Sequence, residues 1–228
     1  VFQPKTGSTL VTVSAVSARA LCTCLSAVNR LVRPSSLSFA RRRHRPSTLT
    51  HQRFKPVFAV AVLLLVGVEI NPGPAMSQIV VGTLNARTAV GHTAELHDLI
   101  QSESLDILAV CETRVRPDAP PAISHDLAPS GYTAINVPRP DGRSGGGLAV
   151  IHRDHYNVAP FRLTVTPTTF EVMAVKFATK GERYVLVNVY HPPSQGTIVK
   201  FLGELCDLFD ALCHVDGHVM IAGDFNSP

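Results

Sequence analysis

The stretch YVLVNVYHPPSQGTIVKFLGELCDLFDALCHVDGHVMIAGDFN, residues 184–226, decides the architecture. Its opening run, Tyr184–Tyr190, is short, apolar and rich in β-branched residues, which reads as a strand. From Thr197 to Leu212 the residues Ile198, Phe201, Leu202, Leu205, Leu208, Phe209 and Leu212 recur at three- and four-residue steps. That spacing places them along one apolar stripe of a helix. His218–Ala222 is a further strand, running into Asp224.

Working outward, Phe170–Phe177 reads as a strand joined to Tyr184–Tyr190 by the turn Lys180-Gly181, a hairpin. Gly147–His152 and Tyr132–Val137 read as strands around the loop Arg139–Gly146, and Pro117–Pro129 as a proline-rich loop. Ile107–Cys111 is a buried strand and Gln78–Leu84 another. Between them, Thr93–Ser104 is a helix with Leu96, Leu99 and Ile100 on one face. Many strands with few helices, in mixed order, imply packed sheets with helices outside them.

Charge is divided along the chain. Residues 1–68 hold ten Lys or Arg and no acid; from Glu69 onward there are eleven basic and seventeen acidic residues. The acidic body argues against tight DNA binding by charge alone, and the basic tail needs its own explanation. The five cysteines, Cys22, Cys24, Cys111, Cys206 and Cys213, are odd in number and contain no facing CxxC pairs. That suggests neither a disulfide framework nor a zinc site. Cys111 and Cys206 lie in apolar patterns and read as free buried thiols, which fits an intracellular compartment, nuclear or cytoplasmic.

Polar residues stand where apolar strands end: Asn85, Glu112, Tyr190, and the pair Asp224 and Asn226. A strand end is where a side chain leaves the core and can face a shared cleft. Hydrolysing a phosphodiester needs a carboxylate for a hard cation, a group to orient or deprotonate water, and donors for the developing charge. This set supplies each. Any one of them alone reads more readily as a turn former.

The segments TLNAR (83–87), CETR (111–114), GRSGGGLAVI (142–151), NVYHPPS (188–194) and AGDFN (222–226) occur in an order and spacing that resembles the endonuclease/exonuclease/phosphatase superfamily. They look most like its branch in non-LTR (LINE-type) retrotransposons, over nearly all of residues 78–228. The resemblance implies an α+β fold, a four-layer αββα sandwich of two packed mixed β-sheets with outer helices, and an active site at one end of the sheets. It also implies a Mg²⁺-dependent, DNA-nicking endonuclease, with Mn²⁺ able to substitute, acting on a DNA target site and encoded ahead of a reverse transcriptase. Glu112 would bind the metal, and Asn85 would help hold metal and phosphate. Tyr190 would donate a hydrogen bond near the phosphate, Asp224 would orient or deprotonate the attacking water, and Asn226 would steady phosphoryl oxygens. By its charge and place alone Arg114 is expected to reach the DNA backbone, and His191, next to two prolines, reads as a loop residue rather than a base.

The superfamily's final Ser-Asp-His segment does not occur in these 228 residues. A chain that starts at Val1, has its first Met at 76 and stops at Pro228 is therefore expected to be the N-terminal part of a longer domain, 76–228, incomplete at the C-terminus. By itself it is expected to be inactive and poorly folded, with apolar faces and a sheet edge exposed. The rival readings are a non-catalytic retroelement relic or nucleic-acid-binding remnant, and another superfamily enzyme such as an RNA deadenylase or phosphoinositide phosphatase.

Residues 1–56 read as a basic, disordered tail or as upstream sequence not normally translated as protein, with a transit peptide or a nuclear-import or nucleic-acid-contact segment around Arg41-Arg42-Arg43-His44-Arg45 as the alternatives. The apolar run Val57–Val68 is too short to span a bilayer, so no stable membrane association is expected. It leads into GVEINPGP (67–74), which resembles a 2A-like ribosome-skipping peptide. That resemblance implies release after Gly73 and a new product starting at Pro74, with Gly67 standing where the family usually has Asp.

Overall fold

The computed structural model describes residues 16–17, 79–139, 145–193 and 198–226. The apolar run, the skipping-type peptide, residues 142–144 and Ser194 lie outside the described residues. Two mixed sheets face one another. The first has the order β2 (Val81–Asn85), β3 (Ile107–Cys111), β5 (Leu148–Arg153), β4 (Tyr132–Val137). The second runs β1 (Val16–Ser17), β9 (His218–Asp224), β8 (Glu182–Tyr190), β7 (Glu171–Thr179), β6 (Ala159–Pro160).

Each sheet contains one parallel pair, β2/β3 and β8/β9, and every other pairing is antiparallel. A parallel pair needs a long crossover, and a helix supplies it both times. Helix α1 (Thr93–Ser102) joins β2 to β3, and α3 (Ile198–Leu212) joins β8 to β9. Leu96 and Ile100 of α1 pack with Leu108, Val110, Ala149 and Ile151 on the outer face of the first sheet. Phe201, Leu205, Leu208 and Leu212 of α3 pack on Val185, Val187, Val189 and Val219 of the second. Between the sheets lies a third cluster, including Ile107, Cys111, Val150, Val175, Leu186, Tyr190 and Met220. Helix, sheet, sheet, helix is the expected four-layer α+β sandwich.

Strand β8 shows why the sequence folds this way. Its odd positions 185, 187 and 189 face α3 and its even positions 186 and 190 face the other sheet, so alternation becomes a continuous apolar run. The buried side chains of α3 contribute about 1.5–3 kcal/mol each, more than intrinsic helix propensity can. Among the described residues no helix is long and apolar enough to cross a membrane.

Several elements depart from the sequence reading. The expected Pro117–Pro129 loop contains a one-turn helix α2, Pro121–His125, where proline at the first helical position supplies its fixed φ and gives up no needed N–H. Ile198, read as part of the α3 stripe, is 45% exposed and is the first residue of the helix. Cys206 is half-buried; Cys111 is fully buried and free as expected. Strand β6 went unread, its two residues being too few to show a period. Within the tail read as lacking strands, Val16–Ser17 pair with the edge of β9, which offers unpaired backbone groups.

Candidate active site

Both parallel pairs end at the same rim of the sandwich. Asn85 is level with Cys111 on β2 and β3, and Tyr190 is level with Asp224 on β8 and β9. The backbone then leaves the sheets sharply. Glu112 and Arg114 stand at φ 55°, Arg87 at 54° and Asn226 at 38°, the left-handed region that non-glycine residues rarely adopt. Strain of this kind costs of order 1–3 kcal/mol per residue and persists only where neighbours hold it.

Two glycines hold part of it. Gly146 and Gly147, both at positive φ, accept the N–H groups of Arg114 and Thr113 at 3.0 and 3.1 Å. A Cβ on Gly147 would come within 2.6 Å of the Thr113 Oγ1, so this part of the glycine-rich segment is a cradle for the Glu-Thr-Arg turn. At Gly223, φ is +131° and a Cβ would overlap the Val189 carbonyl of β8, which is why glycine precedes Asp224.

At the rim, one amide ties the two sheets together. Asn85 Nδ2 donates to Glu112 Oε1 at 2.8 Å and to Asp224 Oδ2 at 2.7 Å, while its Oδ1 accepts the Arg87 N–H at 2.9 Å. Glu112 is 14% exposed, and its second oxygen lies 3.4 Å from the Arg114 guanidinium. Burial, then the negative charge of Glu112 and a hydrogen bond to it, push the Tyr190 hydroxyl far above its ordinary pKa, with Asp224 and Glu171 adding to the effect. Tyr190 therefore stays protonated and keeps a hydroxyl proton to donate. Burial likewise pushes the Cys111 thiol up to about 12, so this cysteine is no nucleophile.

Four of the sequence-predicted residues, Asn85, Glu112, Tyr190 and Asp224, thus meet in one network. Asn226 joins it through its backbone, donating N–H to Asp224 Oδ1 at 3.0 Å, while its side-chain amide donates to the His191 carbonyl at 2.9 Å. Arg114 lies beside Glu112. Two carboxylates share a single neutral amide here, and hard oxygen donors with excess negative charge suit a divalent cation such as Mg²⁺. Among the described residues no group of three His, Cys, Asp or Glu converges on one point, so such a cation would rely on amide, water or substrate oxygens as well.

Sequence reasoning missed three contributors. Asn188, fully buried on β8, donates to the Val110 and Ala149 carbonyls at 2.9 and 3.2 Å and accepts from the Cys111 thiol at 3.3 Å. An asparagine at an inward position of the apolar run YVLVNVY was the available signal. Glu171 accepts the Gly147 N–H at 2.8 Å and pairs with Arg139 at 3.3 Å behind Tyr190. His191 is buried against Phe201, although it does lie in a loop as expected.

No curated protein sequence matches the chain. Among solved structures it is similar to the endonuclease domain of TRAS1, a telomere-specific non-LTR retrotransposon, at 17% identity and TM-score 0.47, over 65% of this chain and 60% of that one. It is similar to the human nocturnin catalytic domain at 19% and 0.41, over 65% and 64% of the two chains. An AP endonuclease from Archaeoglobus fulgidus matches at 19% and 0.44, over 63% and 56%. The chain spans about three fifths of the length of these structures. The Endonuclease/Exonuclease/phosphatase family profile matches residues 82–228, well over half of the chain, and the chain belongs to that family.

Proposed function

We propose that this chain carries the Mg²⁺-dependent centre of a DNA-nicking endonuclease of the non-LTR retrotransposon type. The observation that carries the reading is the Asn85 amide holding Glu112 and Asp224 together at the rim beside Tyr190. Glu112, with Asn85, is the seat for the metal, which when bound supplies Lewis-acid stabilisation of charge on the phosphoryl oxygens. Asp224 orients the attacking water and takes its proton. Its carboxylate is fixed for this from two sides, by the Asn85 amide and the Asn226 N–H. Tyr190 donates to a phosphoryl oxygen, a role that its raised pKa keeps open at any working pH. Asn226 is exposed at the mouth and steadies the substrate's oxygens. A DNA target site and a downstream reverse transcriptase are the partners this reading implies. We further read GVEINPGP as a skipping peptide that separates residues 1–73 from the nuclease body.

Two measurements test the proposal. Mn²⁺ binding, followed by water-proton relaxation on the full chain, should weaken at least about tenfold in Glu112→Gln. Nicking of supercoiled plasmid by the domain extended to include a Ser-Asp-His segment should fall by about 10²–10³ in Glu112→Gln or Asp224→Asn. Hydrolysis of poly(A) RNA or a phosphoinositide in place of plasmid would overturn the substrate assignment. Unchanged Mn²⁺ binding in Glu112→Gln would overturn the metal seat.

A further inference from the structure

The turn that carries Asp224 and Asn226 is held at its middle by a side chain that the chemistry above does not use. His191 follows Tyr190 off the end of β8 and is only 7% exposed. Its ring lies against Phe201 of α3, centroids 4.0 Å apart and planes 17° from parallel, and Phe201 is fully buried. Its Nδ1 sits 3.0 Å from the Phe225 carbonyl. A carbonyl only accepts, so Nδ1 carries the proton and donates. The His191 backbone adds two contacts, its N–H to the Asp224 carbonyl at 2.9 Å and its carbonyl to the Asn226 amide at 2.9 Å.

These contacts address successive residues of one turn: Asp224, Phe225 and Asn226. The turn needs holding, because Gly223 and Asn226 are both at positive φ. The backbone contacts do not depend on the side chain at 191, proline apart. The contact with Phe225 depends on a donor one bond beyond Cγ, backed by a flat ring on Phe201. Loss of that donor frees the Phe225 peptide to rotate, and rotation moves the Asn226 N–H away from Asp224 Oδ1.

We infer that His191 is a positioning residue: its Nδ1–H clamps the Phe225 peptide and thereby aims the Asp224 carboxylate into the cleft. The inference rests on the proposed role of Asp224, and its test separates the two. His191→Asn places an amide N–H where Nδ1 stands. His191→Gln places the same amide about one bond further out, where Nε2 stands. His191→Phe keeps the stack and removes the donor. Because the Asn226 N–H donates to Asp224 Oδ1, its hydrogen exchange in the full chain reports the position of that carboxylate.

Loss of one hydrogen bond of roughly 1 kcal/mol corresponds to about a fivefold to tenfold faster exchange. Exchange at Asn226 should rise by that factor in His191→Phe and His191→Gln, and stay within about twofold of wild type in His191→Asn, with the amides of β7 and β8 unchanged. Where the wild-type domain nicks plasmid, kcat should fall in the same order while KM holds. The clamp is overturned if His191→Asn behaves like His191→Gln, or if no variant alters exchange at Asn226. Exchange that follows the expected order while the wild-type domain extended to include a Ser-Asp-His segment cleaves no phosphodiester keeps the clamp and removes the nuclease reading.

Discussion

Asn188 shows how much a single buried polar group can specify. It stands two residues before Tyr190 on β8, level with Ala222, which in turn stands two before Asp224. Its partners, Val110, Cys111 and Ala149, lie on the opposing sheet, and Cys111 leads directly into Glu112. The asparagine is therefore a bolt between sheets, one pleat behind the active rim. An amide both donates and accepts, and neither leucine nor an ionised aspartate reproduces that. Asn188→Leu should cost about 2–4 kcal/mol in denaturant unfolding at pH 7, through lost hydrogen bonds in a buried site. Asn188→Asp should cost more at pH 7, since a charge is then buried without a cation. The gap should narrow towards pH 4, where a protonated carboxyl regains one donor. Equal costs for the two variants across that pH range would show that Asn188 is filler, not a bolt.

At the level of elements, α3 is fastened to the second sheet by more than its apolar stripe. Glu204 is 18% exposed and accepts four hydrogen bonds of 2.7–2.8 Å, from the N–H and hydroxyl of both Thr168 and Thr169. Burial alone would raise its pKa, but the four donors outweigh burial and hold it at about 2. A carboxylate with a depressed folded pKa adds stability that is complete above its unfolded value near 4.5 and is lost as pH falls towards 2. The stability difference between wild type and Glu204→Gln should thus be flat above about pH 5, reach up to ~3 kcal/mol there, and shrink below pH 4.5. A difference that is constant from pH 7 to pH 2.5, read from urea midpoints, would contradict this. The stripe itself was legible in the sequence, since Phe201, Leu205, Leu208 and Leu212 announce a helix by spacing. The same logic exposed Asn85, Glu112, Tyr190 and Asp224, because each interrupts an apolar run at its end. Glu204 with Thr168, and His191 with Phe225, were not legible. Each bond joins residues 34–36 positions apart, and neither residue alters the local period. Ile198 failed for the opposite reason: it keeps the period but, as the first residue of the helix, is left exposed.

The whole chain poses an electrostatic problem that neither scale resolves. From Glu69 onward there are seventeen acids against eleven bases, an excess of six negative charges, and the candidate site adds two carboxylates at its rim. DNA approaching that body is repelled. Residues 1–68 carry ten positive charges and no negative one. Attraction of the full chain to a polyanion must then come largely from the tail, through release of condensed counterions, while the proposed metal seat at the rim would supply only local contacts. In the full chain, exchanging Arg41, Arg42, Arg43 and Arg45 for Gln should flatten the slope of log affinity against log salt by up to ~0.9 for each phosphate contact removed. Mn²⁺ binding should not change, because the seat lies elsewhere. Glu112→Gln should do the reverse, altering metal binding and leaving the salt slope intact. A slope untouched by the four arginine substitutions would place the DNA attraction on the body despite its net charge. The separation also gives the skipping-type peptide a physical consequence. A product that starts at Pro74 leaves all ten tail charges behind, so translation yielding two chains would release a net-negative body without the segment that draws the full chain to a polyanion.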